Sequence, residues 1–453
     1  MNRTVDLKRA RRPNGSHWDA RPVAVLWDQS LIWGLICIET MENLGVPYRL
    51  LSAGEIAGGA LEEYRVLLVP GGWASHKVSA LGEDGGEQIR RFIHEGGTYL
   101  GFCGGAGLAL SSPPSLNLIP LKRLPLSKRL PSASGELWIK GPPGHGAWKD
   151  LPPHIPVSVW WPSQFAFEPC ESIDCIASYV AAGKDFWVAD LPMADIKSAS
   201  LNIEEWERTY GINLDPSRIL GHPAILEARL GKGVLILSYP HLETPGDFWG
   251  NRLFRNVLDY LNRISSRALT GCTSKHAETN DSTVPPTRKT LRPLSRSKER
   301  IDGLIRFGER HLLWNWRNPW LLRWRRGIRG LEYGTLAVVA GFLLRQFGEM
   351  SVEGDHSDPW LEPLEDLEGH IEEFCQKARL LLLEEKLSAQ TGNLTKLGRV
   401  NERVDTLRTS LFGDQMNHAG LSRTLFDKLD SLLFRSLRLW DAKGHRKFPT
   451  SAK

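Results

Sequence analysis

Residues 99–110 read YLGFCGGAGLAL: an aromatic-apolar run, one cysteine, then three glycines within the next four positions. The core of this stretch, Gly101-Phe102-Cys103-Gly104-Gly105, has the form G-x-C-x-G at the point where a strand (98–103) gives way to a helix. A turn that sharp forces the central residue into a strained backbone conformation. Only glycine beside it lets a neighbouring chain approach without a Cβ clash. The helix that follows would aim its N-terminus at the sulfur, an arrangement that favours the thiolate. Cys103 is then either a nucleophile held on an elbow or a small residue where the backbone bends.

The flanking sequence decides the fold around this turn. VAVLWD (23–28), YRLLS (48–52) and YRVLLVPGG (64–72) are short Val/Leu-rich runs. Between them lie helical stretches, 30–45 closed by Gly45, and 83–97 with Ile89, Phe92 and Ile93 on one face and Gly96 at its end. Strands alternating with helices predict a parallel sheet covered on both faces. The run ending in VPGGW would leave the N–H groups of Gly71, Gly72 or Trp73 at the carboxyl edge of the sheet, where open α/β sheets bind ligands. That makes them candidates for an oxyanion hole. Far downstream, GKGVLILSYPHLETPG (231–246) carries a strand into His241, with Glu243 two residues later. These are the residue types a cysteine nucleophile needs as base and as orienting group.

Taken in order, VLLVPGGW, FIHEGGTYLGFCGGAGLAL and GKGVLILSYPHLETP resemble the class I glutamine amidotransferase fold. Within it they are most similar to the branch related to the N-terminal domain of biotin–protein ligases. The resemblance spans about residues 21–265 and implies a flavodoxin-like parallel sheet with helices on both faces. It further implies Cys103 as nucleophile, His241 as base, Glu243 as its partner, and Gly72 with Gly104 as oxyanion donors. Where amidotransferases usually carry a glutamine four residues after the cysteine, this chain has Gly107. Neither a P-loop nor the Gly-Arg-rich adenylate loop of a biotin ligase occurs, so biotin transfer is not implied.

The expected organisation is a basic tail (1–20), an amidotransferase-like domain (21–266), a flexible linker (267–298) and an all-α helical bundle (299–445). The middle of the first domain, about 111–230, is rich in Pro, Trp and Ser and looks less regular, with strand candidates at GELWIK and VLILSYP. Trp160, Trp161 and Phe165 in VWWPSQF could, with Trp73, line a pocket near Cys103, or pack as aromatic core. The stretch 270–297 is polar and nearly free of large apolar groups, which reads as linker. Beyond residue 298 leucines recur every three or four positions, as in a bundle of four or five helices.

Residues 291–330 hold eleven Lys/Arg against three Asp/Glu, interleaved with Trp314, Trp316, Trp320 and Trp324. With Asn318-Pro319 as a start signal, Trp320, Trp324, Ile328 and Leu331 form one stripe of an expected basic amphipathic helix over 319–331. Such a helix suits an anionic membrane surface or an acidic protein partner. It could equally face residues 351–373, which carry nine acidic groups and no Lys or Arg.

The rest of the composition is exclusionary. A net charge of +5 over 453 residues, with no recognised binding module, gives no reason to expect nucleic acid. Six scattered cysteines are not a secreted disulfide framework, and Cys170 and Cys175 lack the companions of a zinc site, so neither metal nor cofactor is expected. No signal-peptide pattern and no apolar run of spanning length is present. The expected location is cytoplasmic, peripheral to a membrane if the basic helix docks there. Two functions follow: a cysteine-dependent hydrolase or amidotransferase-like enzyme acting on an amide or acyl substrate, or a non-catalytic module. The latter would bind a small molecule or peptide at the Cys103 pocket and dock a partner through its helices.

Overall fold

The computed structural model describes residues 22–198, 202–267, 284–353, 358–392, 399–413 and 419–442. The basic tail and residues 268–283 of the expected linker lie outside the described residues. Four short apolar runs form strands: β1 (Val23–Leu26), β2 (Tyr48–Leu51), β3 (Val66–Val69) and β4 (Thr98–Phe102). With the strand Gly233–Ser238 they make a parallel array in the order β2-β1-β3-β4-(233–238). Their period-2 alternation feeds two cores. Val23, Val25, Leu100 and Phe102 face one layer, where α1 (Leu31–Leu44) and the helix Phe248–Ile264 pack. Ala24, Leu26, Tyr99 and Leu237 face the other, covered by α2 (Ala53–Ala57), α3 (Ala74–His94) and α4 (Gly104–Ala109). The helix α3 begins well before the expected residue 83 and kinks at Gly82 (φ 60°, ψ −165°), which separates its site-facing start from the Ile89/Phe92/Ile93 face.

The Pro/Trp-rich middle is not irregular. Beyond Gly233–Ser238 the sheet continues through Pro223–Leu230, Ile173–Val188, Ala133–Lys140 and His154–Trp160, each antiparallel to its neighbour. The sheet is therefore mixed: parallel around the site and antiparallel beyond it.

Among the described residues the second half contains five α-helices: Leu291–Arg310, Leu331–Met350, Leu361–Thr391, Glu402–Phe412 and Gly420–Ala442. Two expectations are corrected here. Residues 284–298 are not linker. The Thr287 N–H donates to Asp358 at 2.7 Å, and Leu294, Ile301 and Leu304 bury one face of a helix that already starts at Leu291. Nor is there a helix over 319–331. Trp314–Trp316 and Leu322–Trp324 pair as an antiparallel hairpin, and the Asn318 carboxamide oxygen accepts the N–H groups of Trp320 and Leu321, both at 2.9 Å. An Asx turn captures the donors that a first helical turn would have offered, and the aromatic residues suit a strand. The helix starts only after Gly327 and Gly330, at Leu331.

The apolar groups of this hairpin are covered by the molecule itself: Leu321, Leu322 and Ile328 are buried. Its arginines meet the antiparallel half of the sheet. Arg317 pairs with Asp185 at 2.7 Å, Arg326 with Asp190 at 3.3 Å, and Arg323 lies over the Trp187 ring at 3.9 Å. The expected membrane-facing stripe is thus an internal contact. The acidic stretch takes different arginines, Glu368 and Glu372 pairing with Arg296 and Arg300 of Leu291–Arg310. One hydrophobic core runs from β1 through α1 into the helical half as far as Trp440, so the two halves pack as one body. No helix among the described residues is long and apolar enough to cross a membrane.

Candidate active site

Because β3, β4 and Gly233–Ser238 are adjacent and parallel, the segments leaving their carboxyl ends must adjoin: residues 70–73, 103–104 and 239–243. This adjacency is what brings the three motifs together. Cys103 caps α4 with φ 47° and ψ −102°, a left-handed-side conformation that a non-glycine residue adopts only under constraint. The constraint is visible in its neighbours. Its N–H donates to the Ser238 carbonyl at 2.8 Å, and a Cβ on Gly104 would overlap the Gly72 carbonyl oxygen, as one on Gly105 would overlap that of Val69. The G-x-C-x-G and VPGG stretches are glycine-rich because their backbones touch.

His241 and Glu243 sit on a turn beyond the strand, not on the strand itself. Several bonds fix this turn. The His241 N–H donates to the Ser158 carbonyl (2.9 Å), Thr40 Oγ1 donates to the Glu243 carbonyl (2.7 Å), and Asn251 Nδ2 bridges the Leu242 and Thr244 carbonyls. Both side chains are fully buried, and His241 Nδ1 lies 2.7 Å from Glu243 Oε1. Trp33 of α1 stacks on the imidazole, with ring centroids 4.4 Å apart. Gly71 leaves room for both rings: a Cβ there would come within 3.1 Å of His241 Cε1 and of Trp33 Cγ. Nε2 makes no hydrogen bond among the described residues. Burial alone would lower the proton affinity of His241. The Glu243 carboxylate and the Cys103 sulfur outweigh it and lift the pKa to about 10.

The structure brings Cys103, Gly72, Gly104, Gly71, His241 and Glu243 to one crevice. The aromatic candidates separate. Trp160 donates Nε1–H to Thr244 Oγ1 at 3.0 Å, and Trp161 stacks on Trp324 of the hairpin at 4.5 Å while meeting Trp33 edge-on. These two form a wall behind Trp33 and tie the helical half to the histidine turn. Phe165 is buried against the Tyr239 ring, and Trp73 lines a different cleft with Leu31, His76 and Phe426.

Several residues escaped sequence reasoning because no local pattern marks them. Trp33 sits in an unbroken apolar helix. Lys77 is wholly buried under the Gly71-Gly72 loop, donating to Ser30 Oγ at 2.6 Å and to the Asp28 carbonyl at 3.0 Å. Burial pulls its pKa down to about 8 against the opposing pull of Asp430 and Asp28. Asp430, from Gly420–Ala442, accepts the Gln29 N–H at 2.8 Å near the start of α1, and burial raises its carboxyl to about 7. The helical half therefore supplies part of the packing beneath the site.

Residues 61–112 match the family model described as biotin-protein ligase, N terminal, a stretch running from before β3 through α3 and β4 to just past the elbow. No curated protein matches the sequence. Among solved structures, a ThuA-like protein from Bacteroides uniformis is 12% identical, covering 54% of this chain and 94% of its own, with a TM-score of 0.36. A glutamine amidotransferase from Thermotoga maritima is 14% identical, covering 54% and 98%, with a TM-score of 0.30. One from Methylobacillus flagellatus is also 14% identical, covering 56% and 98%, at 0.29. The stretch that holds both VPGG and the cysteine elbow, residues 61–112, is thus similar to the N-terminal family of biotin–protein ligases.

Proposed function

We propose that the protein is a cysteine-dependent acyl-transfer enzyme, a hydrolase or amidotransferase-like protein acting on an amide or related acyl substrate. The observation that carries this reading is the buried His241–Glu243 pair, Nδ1 to Oε1 at 2.7 Å, on the turn beside the Cys103 elbow. In the proposed mechanism the Cys103 sulfur, as thiolate opposite the imidazolium, attacks the substrate carbonyl carbon. The carbonyl oxygen takes the negative charge and is met by the N–H groups of Gly72 and Gly104, whose backbones already touch. His241 then gives its Nε2 proton to the leaving nitrogen, the C–N bond breaks, and a thioester remains on Cys103. Water, or another nucleophile, releases the acyl group after giving its proton to His241. Glu243 holds the imidazole through Nδ1 throughout.

The test is alkylation of the full chain by iodoacetamide, with the modified cysteines mapped by mass spectrometry. Cys103 should react faster than Cys170, which is the exposed cysteine among the described residues, and His241→Ala should slow Cys103 about tenfold or more. Equal rates at Cys103 in wild type and His241→Ala would leave a binding module in place of an enzyme.

A further inference from the structure

Two arginines beside the elbow have no counter-charge among the described residues. Arg123 and Arg129 lie on the segment that crosses from α4 to the antiparallel half of the sheet, and neither forms an ion pair with a carboxylate among the described residues. The Nε of each is buried without a hydrogen-bond partner. Arg123 reaches the elbow helix directly: a Cβ on Gly107 would stand 3.0 Å from Arg123 Nη2, and the Gly107 N–H is bonded to the Cys103 carbonyl at 2.9 Å. The two guanidinium groups act on each other, and burial together with Arg123 lowers the proton affinity of Arg129. Both also act on the buried Tyr239 ring hydroxyl, which in turn feels the Cys103 sulfur. The geometry joins the same residues: Ser163 is bonded to Arg129, and Phe165, paired with Arg123, packs on the Tyr239 ring at 4.2 Å.

This cluster is rigidly built. Lys122–Arg123 pairs antiparallel with Phe165–Ala166, and the Arg123 N–H donates to Ser112 Oγ at 2.8 Å. The buried Gln164 clamps the loop between the arginines. Its carbonyl accepts the Leu124 N–H (3.0 Å) and its side-chain oxygen the Leu130 N–H (2.8 Å), while its Nε2 holds the Arg218 carbonyl (2.6 Å). Two like charges brought together with buried, unused donors cost stability unless a ligand supplies the opposite charge. Guanidinium forks fit the paired oxygens of a carboxylate or phosphate.

We propose that Arg123 and Arg129 form an anion subsite that binds a carboxylate or phosphate group of the substrate and holds its acyl carbon near Cys103. This inference deepens the proposed function and rests on it for the role of Cys103. The subsite itself can be tested apart from catalysis.

The first arm compares alkylation of Cys103 by iodoacetate, which is anionic, and iodoacetamide, its neutral counterpart. Arg123→Gln and Arg129→Gln should each slow iodoacetate about tenfold, the loss expected for one charge-assisted hydrogen bond, and leave iodoacetamide within about twofold. Arg123→Lys should retain part of the preference, and Lys128→Gln, an exposed neighbour on the same loop, should change neither rate. An unchanged ratio of the two reagents, or an equal loss with both, overturns the subsite. The second arm needs no reactive thiol: glutarate and inorganic phosphate are titrated separately into Cys103→Ser by calorimetry. Saturable binding of one, weakened about tenfold or more by Arg123→Gln, supports the subsite and identifies the group recognised; binding of neither overturns it. If Cys103 resists both reagents while an anion still binds, the nucleophile reading fails and the subsite stands.

Discussion

The cysteine elbow and the Trp/Arg hairpin make an instructive pair: the first is glycine-rich and forms the crevice, the second is aromatic-rich and reaches His241 only through Trp161 and Trp33. At the elbow, residue type follows from backbone geometry. Two chains touch at Gly72 and Gly104, Cys103 is held at φ 47°, and any side chain in place of these glycines collides with main chain. In the hairpin the local signal is limited to the Asn318 turn. Trp320, Trp324, Ile328 and Leu331 keep helical spacing, and the strand is selected by distant partners: Trp161, Asp185, Trp187 and Asp190. The first region should be intolerant of the smallest substitution. The second should fail only when its tertiary contacts are removed.

The largest effect is expected at Gly104→Ala. Because the added methyl has only the Gly72 carbonyl to displace, stability in urea should fall by on the order of 4 kcal/mol. At Gly45, which has a positive φ but open space around it, the same change should cost only about 1 kcal/mol. Similar losses at the two sites would break the claim that backbone contact dictates the elbow. Next comes Arg329→Met, at the end of the hairpin segment. Arg329 pairs with the buried Glu332 at 2.7 Å and lies over Phe412, so its loss removes one ion pair from a buried carboxylate and should cost about 3 kcal/mol in the same assay. A smaller term should appear between the two regions. In a Trp161→Ala/Trp324→Ala double-mutant cycle, the stacked pair should show a coupling of about 1 kcal/mol, and zero coupling would separate hairpin from site.

What could be read in advance follows the same division. The parallel half of the sheet was legible because VAVL, VLLV and GVLILS are buried on both faces and so carry unbroken apolar runs. The pairing of His241 with Glu243 was legible from a two-residue spacing, although the pair sits on a turn past the strand. Of the antiparallel half only GELWIK was legible as a strand, since Pro156 and Trp160 mask the alternation of HIPVSVW. Nor could Asp430 be placed beside Gln29, or Arg123 beside Gly107, because only the folded chain brings them together. Residues 284–298 looked like linker because their composition is polar. The helix there is held by Leu294 and by charges on a helix some seventy residues later, as in Arg296–Glu368.

The central claim is that Cys103, His241 and Glu243 act as one electrostatic unit. With a folded value of about 10 set against an ordinary 6.5, His241 contributes stability that is fully present below pH 6.5 and fades as pH rises toward 10. The direct measurement is a proton-nitrogen NMR titration of the full chain labelled at histidine, with the His241 signals assigned by their loss in His241→Ala. The imidazole should remain protonated past pH 9 in the wild type, and its titration should move clearly downward in Cys103→Ser and again in Glu243→Gln. A His241 that titrates near 6.5, indifferent to Cys103→Ser, would contradict the account.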